Sequence, residues 1–322
     1  MISGVRFAPV VLLLAACGGS ISAQKNAPQE EGPSPTRVLV RADVKHDAAA
    51  PALRASDVTV NVGGREVPVV NVTPAIASAG LSAGARSQPL EVAVLLDEGL
   101  RTNFDTNLRE VVDFARSTAN GNTAVSVGYM RNGTVAFGQP FSTDPDVVAK
   151  GVRIPLSAPG ISASPYFCLQ DLLKHWPTRT GAPRVVIMIT NGIDYYNGSV
   201  SPLNQDSPYV DETIRLAQKS NVPVYSIYFG GRAVNGFYSS SSGQNYLSEL
   251  AQKTGGDTYN QGQITPPSIA PFFRQFQQAL SRTYDVTFQD SGRDLQRLKI
   301  STNLPGVKLH AQEEVQAGTV RE

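Results

Sequence analysis

VAVLLDEGLR, residues 92 to 101, carries five consecutive apolar residues into one carboxylate, Asp97, and within four more residues reaches a glycine, Gly99, and an arginine, Arg101. A half-exposed strand would alternate; an unbroken apolar run that ends in a polar cluster reads as a strand covered on both faces. AVSVGYM (124 to 130), VVIMIT (185 to 190) and VYSIYF (224 to 229) have the same character. Stretches of helical period lie between these runs. In NFDTNLREVVDFARS, Phe104, Leu108, Val111, Val112 and Ala115 form one apolar stripe. PYFCLQDLLKHW, YVDETIRLAQKS, NYLSELAQKT and IAPFFRQFQQALSRT are the later helical segments. Strand and helix in alternation give an α/β fold, a mostly parallel sheet flanked by helices. Only RNG separates AVSVGYM from TVAFGQPF, and Asn132-Gly133 is the strongest short signal for a two-residue hairpin. The sheet should therefore carry one antiparallel edge strand.

The flanks have a different rhythm. Val38, Val40, Ala42 and Val44 alternate with Arg37, Arg41, Asp43 and Lys45, the pattern of a half-buried strand. VTVNV (58 to 62) turns through Gly63-Gly64 into REVPVVNV, and residues 74 to 89 are small and flexible enough to mark a boundary. After the last helix come YDVTFQ, LKISTN and VKLHAQ, which cannot extend a parallel sheet without crossover helices. About three strands at each end would be marginal alone. Joined, they make one β-sandwich-like module with the α/β domain inserted. The expected boundaries are an N-terminal β segment at 37–88, the α/β domain at 89–283 and a C-terminal β segment at 284–322.

Residues 7 to 16, FAPVVLLLAA, follow Arg6 and are too few to cross a bilayer but suit the apolar region of an export signal. LAAC, Leu14 to Cys17, resembles a bacterial lipobox. That gives a signal peptide at 1–16 with lipid attached at Cys17; cleavage after Ala23 in SISA, with release of a soluble secreted protein, is the alternative. Residues 17–36, rich in Pro, Gly and Glu, form a disordered tether. Both readings export the protein, and the membrane is met only through the lipid anchor. Cys168 is then the sole thiol, so stability comes without disulfides. With 28 Lys+Arg against 27 Asp+Glu and no basic block, nucleic acid is not an expected partner.

The order strand ending in Asp, helix, antiparallel hairpin, helix, strand ending in TNG, helix, strand resembles the von Willebrand factor type A (VWA) domain. The whole mature chain is similar to the exported bacterial VWFA-related proteins of Acidobacteria type, with their leading β segment and closing Tyr-x-Val-x-Phe, here Tyr284, Val286 and Phe288. The resemblance implies a metal-binding face built from D-x-S-x-S, a threonine and a later aspartate. This chain keeps Asp97 but has Gly99 and Arg101 for the two serines, offers Ser164 for the threonine and puts Asn191 where the second carboxylate belongs. Two lost hydroxyls, one lost charge and a nearby guanidinium disfavour Mg²⁺, so a degenerate site without metal or cofactor is expected. Arg101 would pair with Asp97 or lie on the surface without consequence. Asp97 itself would serve as a turn or capping residue.

Ligands of open α/β sheets bind beyond the carboxyl ends of the strands. The long loops there, NGIDYYNGSVSPLNQDSPY and GGRAVNGFYSSSSGQ, carry Asp194, Tyr195, Tyr196, Phe237 and Tyr238 among small polar residues, a mixture suited to protein recognition. No nucleophile elbow, P-loop, dinucleotide fingerprint or clustered zinc ligands are present, so no catalytic residue is assigned. The expectation is non-catalytic recognition of a protein partner, by adhesion or scaffolding, at the bacterial cell envelope. Its rivals are a Mg²⁺-dependent VWA adhesion domain with altered ligands and a cryptic hydrolase.

Overall fold

The alternation at residues 37 to 44 forms β1 (Ser34–Val44), followed by β2 (Val58–Val62), β3 (Arg65–Val67) and β4 (Val69–Pro74). The computed structural model describes Met1 and residues 33–44, 51–76, 88–100, 104–157, 164–197, 206–230, 237–262 and 264–318, without the side chains of 237–240. The export signal, Cys17, most of the tether and Arg101 therefore lie outside the described residues.

The opening stretch becomes β5 (Leu90–Asp97), every residue of it buried. It pairs in parallel with β6 (Thr123–Arg131) on one side and β8 (Arg184–Thr190) on the other, Val94 standing opposite both Val127 and Ile187. With β7 (Thr134–Phe137), β9 (Val224–Tyr228) and β10 (Thr258–Tyr259) the sheet runs in the order β10-β9-β8-β5-β6-β7. Only β7 is antiparallel, and the turn before it has positive φ at Asn132 (50°) and Gly133 (74°), as the Asn-Gly signal requires. The mostly parallel sheet and its single antiparallel edge are as the sequence implies.

Alternation along the strands divides the core into two layers. Val92, Val94 and Leu96 pack with Val111 and Phe114 of α1 (Leu108–Thr118) and with Phe273 and Phe276 of α6 (Ala270–Ser281). Ala93 and Leu95 face the other way, toward Leu169 of α3 (Pro165–Lys174), Ile214 of α4 (Pro208–Ser220) and Leu250 of α5 (Phe237–Thr254). A short helix, α2 (Pro145–Lys150), is capped by Asp144 and was not evident in the sequence pattern. The α5 helix also begins earlier than expected: FYSSSSGQ, read as loop, is helical. Serines are indifferent helix formers, and tertiary contact overrides them here. A Cβ on Gly243 would lie 2.1 Å from the Asn191 carbonyl oxygen, so only glycine lets the helix approach that strand end.

After α6 come β11 (Thr283–Asp290), β12 (Gln296–Thr302), β13 (Val307–His310) and β14 (Glu314–Val315). The first and last parts of the chain interleave as two four-stranded sheets, β13-β1-β11-β4 and β14-β12-β2-β3. Val38, Val40 and Ala42 share one apolar cluster with Val58, Val60, Val62, Tyr284, Val286 and Phe288. The expected strand REVPVVNV is divided: Arg65–Val67 pairs with β2, whereas Val69–Pro74 pairs with β11 in the other sheet. Pro68, which has no N–H to donate, stands at the break.

The polar side of β1 is not solvated, contrary to its alternating pattern. Leu39 joins the core of the central domain, and the buried Arg41 meets Asp43 at 2.8 Å and Asp257 at 3.5 Å. Arg37 donates to the Gly181 carbonyl, Glu313 N–H to Lys253, and Gln312 to Gln218 and Asn221. These contacts all fall at the amino ends of the parallel strands, so the flanking sheets lie beneath the floor of the central domain and leave its carboxyl ends free of them.

Candidate recognition face

At the carboxyl end of β5, Asp97 is only 3% exposed, and both of its oxygens are engaged. Oδ1 accepts the Gly99 N–H at 2.9 Å, and Oδ2 accepts the Thr190 hydroxyl at 2.8 Å. The Thr190 oxygen in turn accepts the Gly192 N–H. Asp97 thus ties the ends of β5 and β8 together, and Gly99 contributes only main chain. Its charge is felt on the α3 side, where burial and then Asp97 push the Cys168 thiol up to about 12; at neutral pH that thiol is protonated and a poor nucleophile.

Asn191 stands at the end of β8, its Oδ1 accepting the Ile193 N–H at 3.0 Å and its side chain bonded to the Tyr195 hydroxyl. Burial, only partly countered by that bond, raises the Tyr195 phenol. Gly192 (φ 68°) receives the Tyr166 hydroxyl on its carbonyl at 2.8 Å, which fixes the turn. Asp194 has a structural task. It is 2% exposed, takes the Tyr196 N–H on one oxygen and the Ser207 hydroxyl on the other at 2.7 Å, and Ser207 caps α4. It therefore staples both ends of the loop that carries the tyrosines. Tyr195 (36% exposed) and Tyr196 (58%) remain at the surface, with Tyr196 edge-on to Phe167 at 5.0 Å. Phe237 and Tyr238 are placed on the first turn of α5 instead of in a loop.

Ser164 occupies the N-cap position of α3, is fully buried, and its Oγ has no hydrogen-bond partner among the described residues. That orphaned hydroxyl is the one feature here that would welcome a cation. The remaining donors do not match it. A divalent ion would find one carboxylate whose oxygens are both occupied and one amide oxygen already accepting a main-chain bond. Among the described residues no three His, Cys, Asp or Glu side chains come together. Among the described residues, then, only the Ser164 hydroxyl is left without an internal partner at the positions that would face such an ion.

The sequence reading missed the strongest polar cluster on this face. Glu98 follows Asp97 at the start of the 3-10 turn that leaves β5, and it is 2% exposed. It pairs with the Arg153 guanidinium and accepts the Leu156 N–H at 2.7 Å and the Ser157 hydroxyl. Burial opposes its charge, but these three donors outweigh burial and hold the carboxyl below its usual range. Arg153 also lies 3.7 Å over the Tyr129 ring, and the Tyr129 hydroxyl takes the Arg153 N–H. Nothing in the spacing of Glu98, Tyr129 and Arg153 announces that they meet. Between these anchors, Ile154 (40% exposed) and Leu156 (62%) point outward on either side of the buried Pro155.

No family model matches the sequence, and no curated protein matches it. Solved structures do resemble it. The conserved hypothetical protein BatB from Bacteroides thetaiotaomicron is 13% identical with a TM-score of 0.42, over 60% of this chain and 97% of that one. An aerotolerance-related membrane protein from Bacteroides fragilis is 12% identical with a TM-score of 0.40, over 59% and 98%. The vWF domain of the type V pili tip protein Mfa5 from Porphyromonas gingivalis is 10% identical with a TM-score of 0.39, over 60% and 94%.

Proposed function

We propose that this chain, whose central domain is of the von Willebrand factor type A kind, is a non-catalytic recognition protein that holds a protein partner on the face at the carboxyl ends of its strands. The observation that carries the reading is a contrast. The buried carboxylates under this face, Asp97, Glu98 and Asp194, are spent on internal bonds, while Ile154, Leu156, Tyr195 and Tyr196 are left exposed on anchored main chain. Fixed aliphatic and tyrosine side chains are what a protein interface uses as anchors, because little entropy is lost when they dock. Ser164 is buried and lies in no recognisable nucleophile motif, which argues against hydrolysis.

Adhesion or scaffolding at the cell envelope is the role that suits an export signal with a lipidated Cys17. Among the described residues no helix is long and apolar enough to cross a membrane. The test is capture by the immobilised mature protein from an envelope fraction. A protein retained by wild type and by Val70→Asp, which alters an exposed residue on β4, is expected to be lost with the double variant Leu156→Asp/Tyr196→Ala. Equal retention by the double variant would remove this face from the account.

A further inference from the structure

All three donors that Glu98 accepts come from one short segment: the Arg153 guanidinium, the Leu156 N–H and the Ser157 hydroxyl. The Tyr129 hydroxyl engages the same segment, taking the Arg153 N–H and donating to the Gly151 or Arg153 carbonyl. The segment belongs to no sheet. Its own main-chain bonds run back into α2, from Gly151 to Val148 and from Val152 to Ala149. Apolar contact comes from Val152 against the core and from the buried Pro155, and the two large aliphatic side chains beyond point to solvent.

We propose that residues 151–157 form a latched strap, held shut by Glu98 and Tyr129, that can lift from the ends of β5 and β6 as a unit while the domain beneath stays folded. A segment held by a few side-chain bonds and little apolar area has a local opening free energy well below that of the whole domain. Glu98 dominates that difference, because releasing the strap strands a buried carboxylate without its donors. Opening would take Ile154 and Leu156 out of register together. This deepens the recognition reading above by giving that face a closed, presenting arrangement and an open one, though the latch can be examined with no partner present.

The experiment is amide hydrogen exchange on the mature protein, read at Leu156 and Arg153 and across β5 and β6, with trypsin sensitivity after Arg153 alongside. Wild type should protect both amides. Glu98→Gln should speed exchange at Leu156 by about 30-fold, the equivalent of leaving one buried donor unmet, while β5 and β6 keep their rates. Tryptic cutting should then begin at Arg153. Tyr129→Phe removes only the hydroxyl and should loosen Arg153 selectively, so the idea stays testable if Glu98→Gln does not fold. Unchanged strap exchange in both variants would show that Glu98 and Tyr129 are not the latch. Acceleration spread evenly through β5 and β6 would show that the strap is no separate unit. Partner capture that fails while the selective exchange pattern holds would refute the recognition reading and leave the latch standing.

Discussion

Replacing Gly243 with alanine decides whether the contact between α5 and the end of β8 is as close as described. Gly243 is interior to α5, so on helix propensity alone the change should stabilise the protein by about 1 kcal/mol. The structure demands the opposite sign. The added Cβ would stand 2.1 Å from the Asn191 carbonyl oxygen and 3.2 Å from the Gly192 carbonyl carbon, both main chain, and real Cβ atoms essentially never come closer than 3.0 Å. Helix and strand end must therefore separate by roughly 1 Å, and overpacking of that kind costs about 3 kcal/mol. The net loss, about 2 kcal/mol, corresponds to a melting midpoint lower by about 4 to 8 °C for a domain of this size. Thermal unfolding followed by circular dichroism measures it, with Gly121→Ala, whose Cβ would meet nothing within 4 Å, as the control. An unchanged or raised midpoint for Gly243→Ala would mean that the helix does not lie against Asn191, and the geometry assigned to that side of the recognition face would fail with it.

Adding Mg²⁺ or Mn²⁺ should move the unfolding midpoint by less than about 1 °C, since a ligand stabilises only what it binds. A shift of several degrees that disappears in Asp97→Ala would reinstate the metal. Glu91, 3% exposed at the start of β5, accepts from Trp176 Nε1 and the Thr178 hydroxyl, each at 2.7 Å, and from Thr180. Glu91→Ala should cost about 3 kcal/mol by urea titration, because buried donors are left unmet. Trp176 is the single tryptophan, so its emission should shift to the red, and an unaltered spectrum would count against the network. Glu98 is a depressed carboxyl, so its contribution is complete above the unfolded carboxylate value and is lost as pH falls through the lower folded value. Protection of the Leu156 amide should therefore persist at about pH 5 and collapse only in stronger acid. Collapse at milder pH would contradict the ion pair.

The sequence made the central sheet legible because its signals are local. Unbroken apolar runs mark β5, β6, β8 and β9, and Asn132-Gly133 marks the turn to β7. The joining of the chain's two ends could be argued from strand number, but not the switch of sheets at Pro68 or the burial of β1 on its polar side, since both depend on what packs from elsewhere. The site was harder still. Asp97, Ser164 and Asn191 could be named from the order of elements, yet sequence could not show that Asp97 is consumed by Gly99 and Thr190 or that Ser164 is left without a bond. Arg101, expected either to pair with Asp97 or to lie on the surface without consequence, lies outside the described residues. Among the described residues a guanidinium does meet a carboxylate on this face, that of Arg153, brought to Glu98 from far along the chain. The helical start of α5 escaped notice because four serines conceal a helix that one glycine contact secures.

The inserted arrangement also sets a schedule for the newly made chain. β1 pairs along eight residues with β11, and the Ala75 N–H meets the Thr283 carbonyl at 2.7 Å where the inserted domain begins and ends. The leading strands are synthesised first but must wait for the trailing ones, and an unpaired, valine-rich edge is an invitation to aggregate. Closure of the central domain shortens that wait, since it brings Ala75 and Thr283 side by side and turns a distant pairing into a neighbourly one. A mutation that slows the central domain should thus appear first as clumping of the N-terminal strands, far from the altered residue.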